Sequence, residues 1–218
     1  MNEAALRRAV IAAARAINDS GLNPGRAGNV SARVRGGFLI TPTGVPYERL
    51  RPAMIVRMRD DGTAPGGQLR PSSEWRFHRD IYRARPEVRA VVHVHSPYAT
   101  ALACLRRGIP AFHYMVAVAG GDSIRCAPYA TFGTQALSDH AVRALRDRRA
   151  CLLANHGLIA LGDSPAAALA LAVEVEFLAR QYCLTLQVGA PRILGRREMR
   201  VVLGKFKTYG RQDGLRNS

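Results

Sequence analysis

The stretch from Val88 to His95 constrains this chain more than any other. It reads Val-Arg-Ala-Val-Val-His-Val-His, and helix signals bracket it, with Pro86 before it and Ser96-Pro97 after it. An apolar run so bounded predicts a buried strand between two helices. Side chains two apart on a strand share a face, about 6.5–7 Å apart along it. His93 and His95 therefore aim together, while Val92 and Val94 point the other way.

The rest of the chain alternates in the same manner. Leu6, Val10, Ala13, Ala14 and Ile17 recur at helical spacing and predict a helix over 3–19, with Gly21 as its stop. A turn from Gly25 to Asn29 leads into short strands at 30–34 and 38–41, joined by Arg35-Gly36-Gly37. Pro42-Thr43-Gly44 is another turn, and 54–58 reads as a third strand ended by Asp60-Asp61-Gly62. Pro71-Ser72-Ser73-Glu74 opens a helix to about Arg85, with a serine cap and Glu74 in the positive first turn. Further helices follow Ser96-Pro97 and span roughly 134–147. Strands at 151–154 and 158–161 flank Asn155-His156-Gly157, and Ser164-Pro165 starts the longest helix, to about Val188. Nothing reads as a linker or repeat, so residues 1–218 form one domain of α/β or α+β class, with strand direction left open.

Composition removes several function classes. With 48% hydrophobic residues in 218, the chain is neither disordered nor dependent on disulfide staples. The longest apolar stretch, Ala166 to Val173, is far below the ~18 residues of a membrane span. Arg7, Arg8 and Arg15 interrupt the N-terminal apolar positions, so no signal peptide is read there, and a cytoplasmic protein is expected. Cys104, Cys126, Cys151 and Cys183 form no C-x-x-C pair and read as reduced core thiols. The net charge of +16 comes mostly from arginines scattered along the chain. That pattern reads as a solvated surface whose field attracts anionic substrates, not as a specific nucleic-acid site.

Two imidazoles projecting together at a strand end make half a metal site. His156 lies between a polar residue and a glycine at the junction of two buried strands, an odd choice for a core. His93, His95 and His156 would form a three-nitrogen zinc site with a position open, as catalytic zinc requires. Glu74 then serves as a fourth ligand, as an acid/base, or as each in turn. His78, four residues after Glu74, is placed for a Glu–His pair, but like His113 and His140 it reads as structural or exposed. Gly28-Asn29, Thr43-Gly44 and Ser72-Ser73 join small side chains to turns or a helix start, and together they fit a terminal phosphate.

These segments, Gly28-Asn29-Val30-Ser31, Thr41-Pro42-Thr43-Gly44, Pro71-Ser72-Ser73-Glu74-Trp75, His93-Val94-His95 and Asn155-His156-Gly157, resemble the class II aldolase/adducin family. Residues 109–114 and 127–133 and the tail Lys205 to Gly210 extend the resemblance over nearly the whole chain. It implies a single α/β domain with a central, mainly antiparallel sheet flanked by helices. It also implies a homotetramer with active sites at subunit interfaces. The implied reaction is reversible cleavage of a ketose 1-phosphate, of L-fuculose 1-phosphate type, to dihydroxyacetone phosphate and an aldehyde of L-lactaldehyde type. An enediolate stabilised by Zn2+ is the implied intermediate, and other divalent metals fit the same ligands.

By the same resemblance His93, His95 and His156 hold zinc, and Glu74 is the acid/base that also ligates it. Gly28, Asn29, Thr43, Gly44, Ser72 and Ser73 bind phosphate. Tyr114 comes from a neighbouring subunit for proton transfer, Phe132 shapes the aldehyde pocket, and Tyr209 closes over it. Asn155, where the fuculose-phosphate branch carries histidine, and Asp122, where it carries asparagine, leave the sugar open. Alternative substrates are 5-deoxyribulose and rhamnulose 1-phosphates; alternative chemistries are the family's ribulose-5-phosphate epimerase, methylthioribulose-1-phosphate dehydratase and decarboxylase branches. The only lysines, Lys205 and Lys207, lie in the tail, which argues against a Schiff-base route.

Overall fold

The computed structural model describes residues 2–23 and 25–208; the expected lid residue Tyr209 lies outside them. Helix α1 (Glu3–Asp19) starts where the Asn2 side chain accepts the Ala5 N–H, and its stripe Val10, Ala13, Ala14 and Ile17 is buried. Strands β1 (Asn29–Val34) and β2 (Gly37–Ile40) form the expected hairpin, with Val34 opposite Gly37. The predicted third strand starts late: Pro52–Met54 is a 3-10 turn, and β3 is Val56–Arg59. Proline at the front of that segment removes a ladder donor, which favours a turn there.

Strand β4 (Ala90–Val94) is buried throughout. Helices α2 (Trp75–Ala84) and α3 (Pro97–Cys104) flank it in sequence. Then come β5 (Ile109–Pro110), β6 (Ser123–Ala127), α4 (Gln135–Ala144), β7 (Ala150–Leu153), β8 (Gly157–Gly162), α5 (Pro165–Val188) and α6 (Arg196–Phe206). The strands make one sheet in the order β3-β2-β1-β4-β8-β7-β6-β5. Among the described residues only the β6–β7 pairing is parallel, so the sheet is mainly antiparallel, as expected.

The alternation on β4 assigns the two faces. Val92 and Val94 pack with α1, α3 and α5. Val91 packs with Phe77, Ile81, Leu137 and Ala141 of α2 and α4. His93 shares the Val91 face and meets the edge of the Phe77 ring. Asn29 at the start of β1 lies opposite His93, which faces Ile159 of β8 on its other side. The β4 end, the β1 start, the β7–β8 turn and the α2 N-terminus thus converge at one end of the sheet.

Several local expectations are corrected. Glu74 is the N-cap of α2 (φ −99°, ψ 13°), not a first-turn residue, and no side chain caps that helix. Helix α3 has Ser96 at its N-cap position, but its first N–H groups are met by Glu176 of α5, whose two carboxylate oxygens accept from Tyr98 and Ala99. Cys151 alone of the four cysteines is fully buried; Cys126 and Cys183 are half-buried and Cys104 is exposed, although all four are free thiols. The arginines are not merely solvated. Arg33 donates to the carbonyls of Tyr82, Arg85 and Val88, and Arg85 to those of Leu145 and Arg148. With 16 acidic residues for 32 basic ones, many guanidinium groups satisfy chain-end carbonyls instead of carboxylates.

Candidate metal centre

His93, His95 and His156 meet where β4 and the β7–β8 turn end together. Their ring centroids lie 4.8, 4.8 and 4.9 Å apart. With Glu74 they offer four ligand atoms within 4.8 Å of one another. Two glycines allow the approach. At Gly157 a Cβ would stand 2.4 Å from the Val94 carbonyl and 2.9 Å from the His95 ring. At Gly28, φ is +89° and a Cβ would stand 2.5 Å from the His93 carbonyl. Gly28→Ala is therefore expected to lose about 1–3 kcal/mol from the left-handed backbone alone. In a chain of this size that lowers the melting temperature by roughly 2–12 °C. An unchanged thermal melt would show that this loop accepts a side chain.

The donor chemistry fits a cation. His93 Nδ1–H donates to the Leu158 carbonyl at 2.9 Å, which leaves its Nε2 lone pair facing His95 Nε2 at 3.0 Å. Burial, then the neighbouring His93 and His156, push His95 down to about 3, so it stays a neutral nitrogen donor. Glu74 Oε1 is buried and has no aligned hydrogen-bond donor among the described residues, although His156 Nε2 is 3.1 Å away. Its partner Oε2 lies 3.2 Å from His93 Nε2. Lone pairs turned toward one another around an orphaned carboxylate oxygen are what a divalent ion resolves. Burial acts to raise the Glu74 carboxyl, but the His93 and His156 rings close beside it outweigh that. The group is held well below the usual carboxylate range.

The cluster opens into a cavity of about 340 Å³. Gly28, Asn29, Thr43, Gly44, Ser72, Ser73 and Phe132 line it, together with Glu74, His95 and His156. The pairing of Pro42 with Pro71 holds the 43–44 and 72–73 turns side by side, and Ser72 Oγ accepts the Glu74 N–H. Asn29 does not present a free amide there. Its side chain is buried, with Nδ2 donating to Glu74 Oε2 at 3.0 Å and Oδ1 turned to His78. Tyr114 lies in the 3-10 segment Tyr114–Ala119, 46% exposed and outside the cavity of its own chain.

Sequence reasoning missed the supports. Tyr47 OH donates to the Gly28 carbonyl at 2.7 Å, and Asn23 accepts the His95 backbone N–H at 2.9 Å while its amide holds the Ala27 carbonyl. Arg26, the one arginine among the described residues lining the cavity, donates to the Gly44 carbonyl. His78 is not paired with Glu74 directly but sits fully buried beneath Asn29. Desolvation first, then His93, push it down to about 3, so it is neutral.

The comparisons with known proteins agree with this geometry. The family model for the class II aldolase and adducin N-terminal domain matches residues 8–183. A 5-methylthioribulose-1-phosphate/5-deoxyribulose-1-phosphate aldolase of Rhodospirillum rubrum is 57% identical over 206 residues, 94% of this chain and 93% of that protein. The L-fuculose phosphate aldolase of Escherichia coli (strain K12) is 55% identical over 191 residues, 87% of this chain and 88% of that protein. A solved L-fuculose 1-phosphate aldolase superposes with a TM-score of 0.90 at 39% identity, over 93% of this chain and 96% of the other. With sheet, metal cluster and near-full-length likeness in agreement, the chain belongs to the class II aldolase and adducin family, among its sugar-phosphate lyases.

Proposed function

We propose that the protein is a zinc-dependent aldolase that reversibly cleaves a ketose 1-phosphate to dihydroxyacetone phosphate and a short aldehyde. One observation carries the reading: the carboxylate and three histidines open directly onto a cavity walled by three small-residue turns. Those turns and the Arg26 guanidinium suit a phosphate dianion. The exposed rings of Tyr129 and Phe132, which also line the cavity, suit an apolar aldehyde tail. Those rings support a ketose 1-phosphate of the L-fuculose 1-phosphate type, whose aldehyde ends in a methyl group. The likeness to the Rhodospirillum rubrum enzyme favours 5-deoxyribulose 1-phosphate and its methylthio counterpart as the second reading.

His93, His95 and His156 would hold the metal, with Glu74 as fourth ligand or base. When bound, it supplies Lewis-acid stabilisation of charge developing on the ketose oxygens. Cleavage moves one proton from the carbon 4 hydroxyl to carbon 3. The carbon 3–carbon 4 bond breaks, its electron pair stays with the phosphorylated fragment, and the aldehyde leaves. Glu74 delivers the proton to carbon 3 and takes it back in condensation. Tyr114 serves the aldehyde oxygen from a neighbouring copy in a homotetramer, which accounts for its exposure in the single chain. Phosphate contacts from Thr43, Gly44, Ser72 and Ser73 hold the reacting carbons in register.

The test is a coupled assay for dihydroxyacetone phosphate. L-fuculose, L-rhamnulose and 5-deoxyribulose 1-phosphates are each offered to the zinc-loaded protein, with and without a chelator. Release that a chelator abolishes and added zinc restores is expected, with L-fuculose and 5-deoxyribulose 1-phosphates ahead of L-rhamnulose 1-phosphate, which yields the same aldehyde as L-fuculose 1-phosphate and differs from it only in configuration at carbon 4. No release from any, with zinc still bound, would move the protein to epimerase, dehydratase or decarboxylase chemistry.

A further inference from the structure

Behind Glu74 runs a chain of buried polar side chains that the proposed reaction does not itself use. Tyr82 OH lies 2.7 Å from Ser31 Oγ, and Ser31 Oγ lies 2.6 Å from His78 Nδ1. His78 Nε2 meets Asn29 Oδ1, and Asn29 Nδ2 reaches Glu74 Oε2 at 3.0 Å. Asn29, Ser31, His78 and Tyr82 are all buried. They come from β1 and α2, one strand and one helix of the fixed scaffold.

The carboxylate sets every proton in the chain. An ionised Glu74 only accepts, so Asn29 must turn its NH2 toward it and its Oδ1 toward His78. That oxygen in turn only accepts, so His78 carries its proton on Nε2. The bare Nδ1 then accepts the Ser31 hydroxyl proton, and Ser31 accepts from Tyr82 OH. Only one arrangement satisfies all five groups, and reversing the Asn29 amide would leave carbonyl facing carboxylate.

We propose that His78 is a positioning residue, which acts through Asn29 to lock the Glu74 carboxylate in the direction its proton transfer at the metal centre requires. This rests on the acid/base reading of Glu74. It also assigns the Asn29 side chain to Glu74 rather than to the phosphate. The stacking of His78 on Phe77, with ring centroids 4.7 Å apart, fixes the imidazole plane from the side.

The test compares His78→Leu, which removes the donor, with His78→Gln, whose side-chain NH2 can stand near Nε2. Partners one step removed from a metal site typically carry effects of about 10–100-fold. For His78→Leu we expect kcat for ketose 1-phosphate cleavage to fall by about that factor, with KM changed less than ~3-fold. His78→Gln is expected to recover most of kcat. Independently of turnover, the visible spectrum of the cobalt(II)-loaded His78→Leu protein should move toward that of cobalt-loaded Glu74→Gln, and His78→Gln should keep the wild-type spectrum. Wild-type kcat in folded His78→Leu would overturn the proposal, as would equal losses in both variants or a cobalt spectrum indifferent to His78. If Glu74→Gln itself cleaves normally, the acid/base reading fails first and this proposal falls with it.

Discussion

In Glu74→Gln, the protein is expected to stay folded and metal-loaded while ketose 1-phosphate cleavage drops about 100- to 10,000-fold, the usual span of a general acid–base group. Glutamine keeps the shape of the side chain, and its amide oxygen can still accept from Asn29 Nδ2, the donor that meets Oε2 in the wild type. Three imidazoles remain to hold the cation. What disappears is the ability to bind and release a proton at carbon 3. The loss should therefore fall on kcat, while KM, set largely by the phosphate turns, changes little. The histidine cluster holds the wild-type carboxylate ionised, the form that takes the proton from carbon 3 in condensation. Exchange of a carbon 3 hydrogen of dihydroxyacetone phosphate with deuterated solvent, followed by NMR without any aldehyde, isolates this step. Exchange at the wild-type rate in Glu74→Gln would remove Glu74 from the proton transfer.

The parts of the site that were legible in the sequence share one property: their signal is local. The period of two along β4 put His93 on the same side as His95, one residue past the strand end, and a histidine before Gly157 marked a tight strand junction. Turn chemistry marked the small-residue loops that wall the cavity. What the sequence hid is long-range. His78 reads as an ordinary helix residue, and its role exists only because Asn29, 49 residues away, lies over it. Glu176 sits in a mostly apolar helix, and only the fold brings it onto the start of α3, 78 residues earlier. Arginines that serve carbonyl oxygens have no spacing rule at all, because the carbonyls they meet are set by where other elements end. Strands β5 and β6 escaped notice because one has two residues and the other reads Ser-Ile-Arg-Cys-Ala, with little apolar alternation. Helix α6 escaped because Met199 is its one fully buried residue, with Glu198 and Arg200 on either side of it.

His95→Ala should remove metal and activity together, and the local geometry makes it a cleaner test than His93→Ala. His93 is fully buried, abuts Phe77 and donates to Leu158, so its loss also opens the core. The His95 ring is only partly buried, and the tie of this residue to Asn23 runs through its backbone N–H, which alanine keeps. The fold should survive, leaving a carboxylate and two imidazoles, one donor fewer than the four that converge in the wild type. Losing Lewis-acid stabilisation worth several kcal/mol corresponds to about a 1,000-fold loss of rate or more. Elemental analysis after dialysis should therefore find about one zinc per wild-type chain and little in the variant, and activity should track metal content across partially loaded samples. Glu74→Gln separates from it on that measurement, since it retains zinc and loses turnover. Cleavage by metal-free His95→Ala would show that the histidine cluster is a structural device and would take the aldolase mechanism away from the metal altogether.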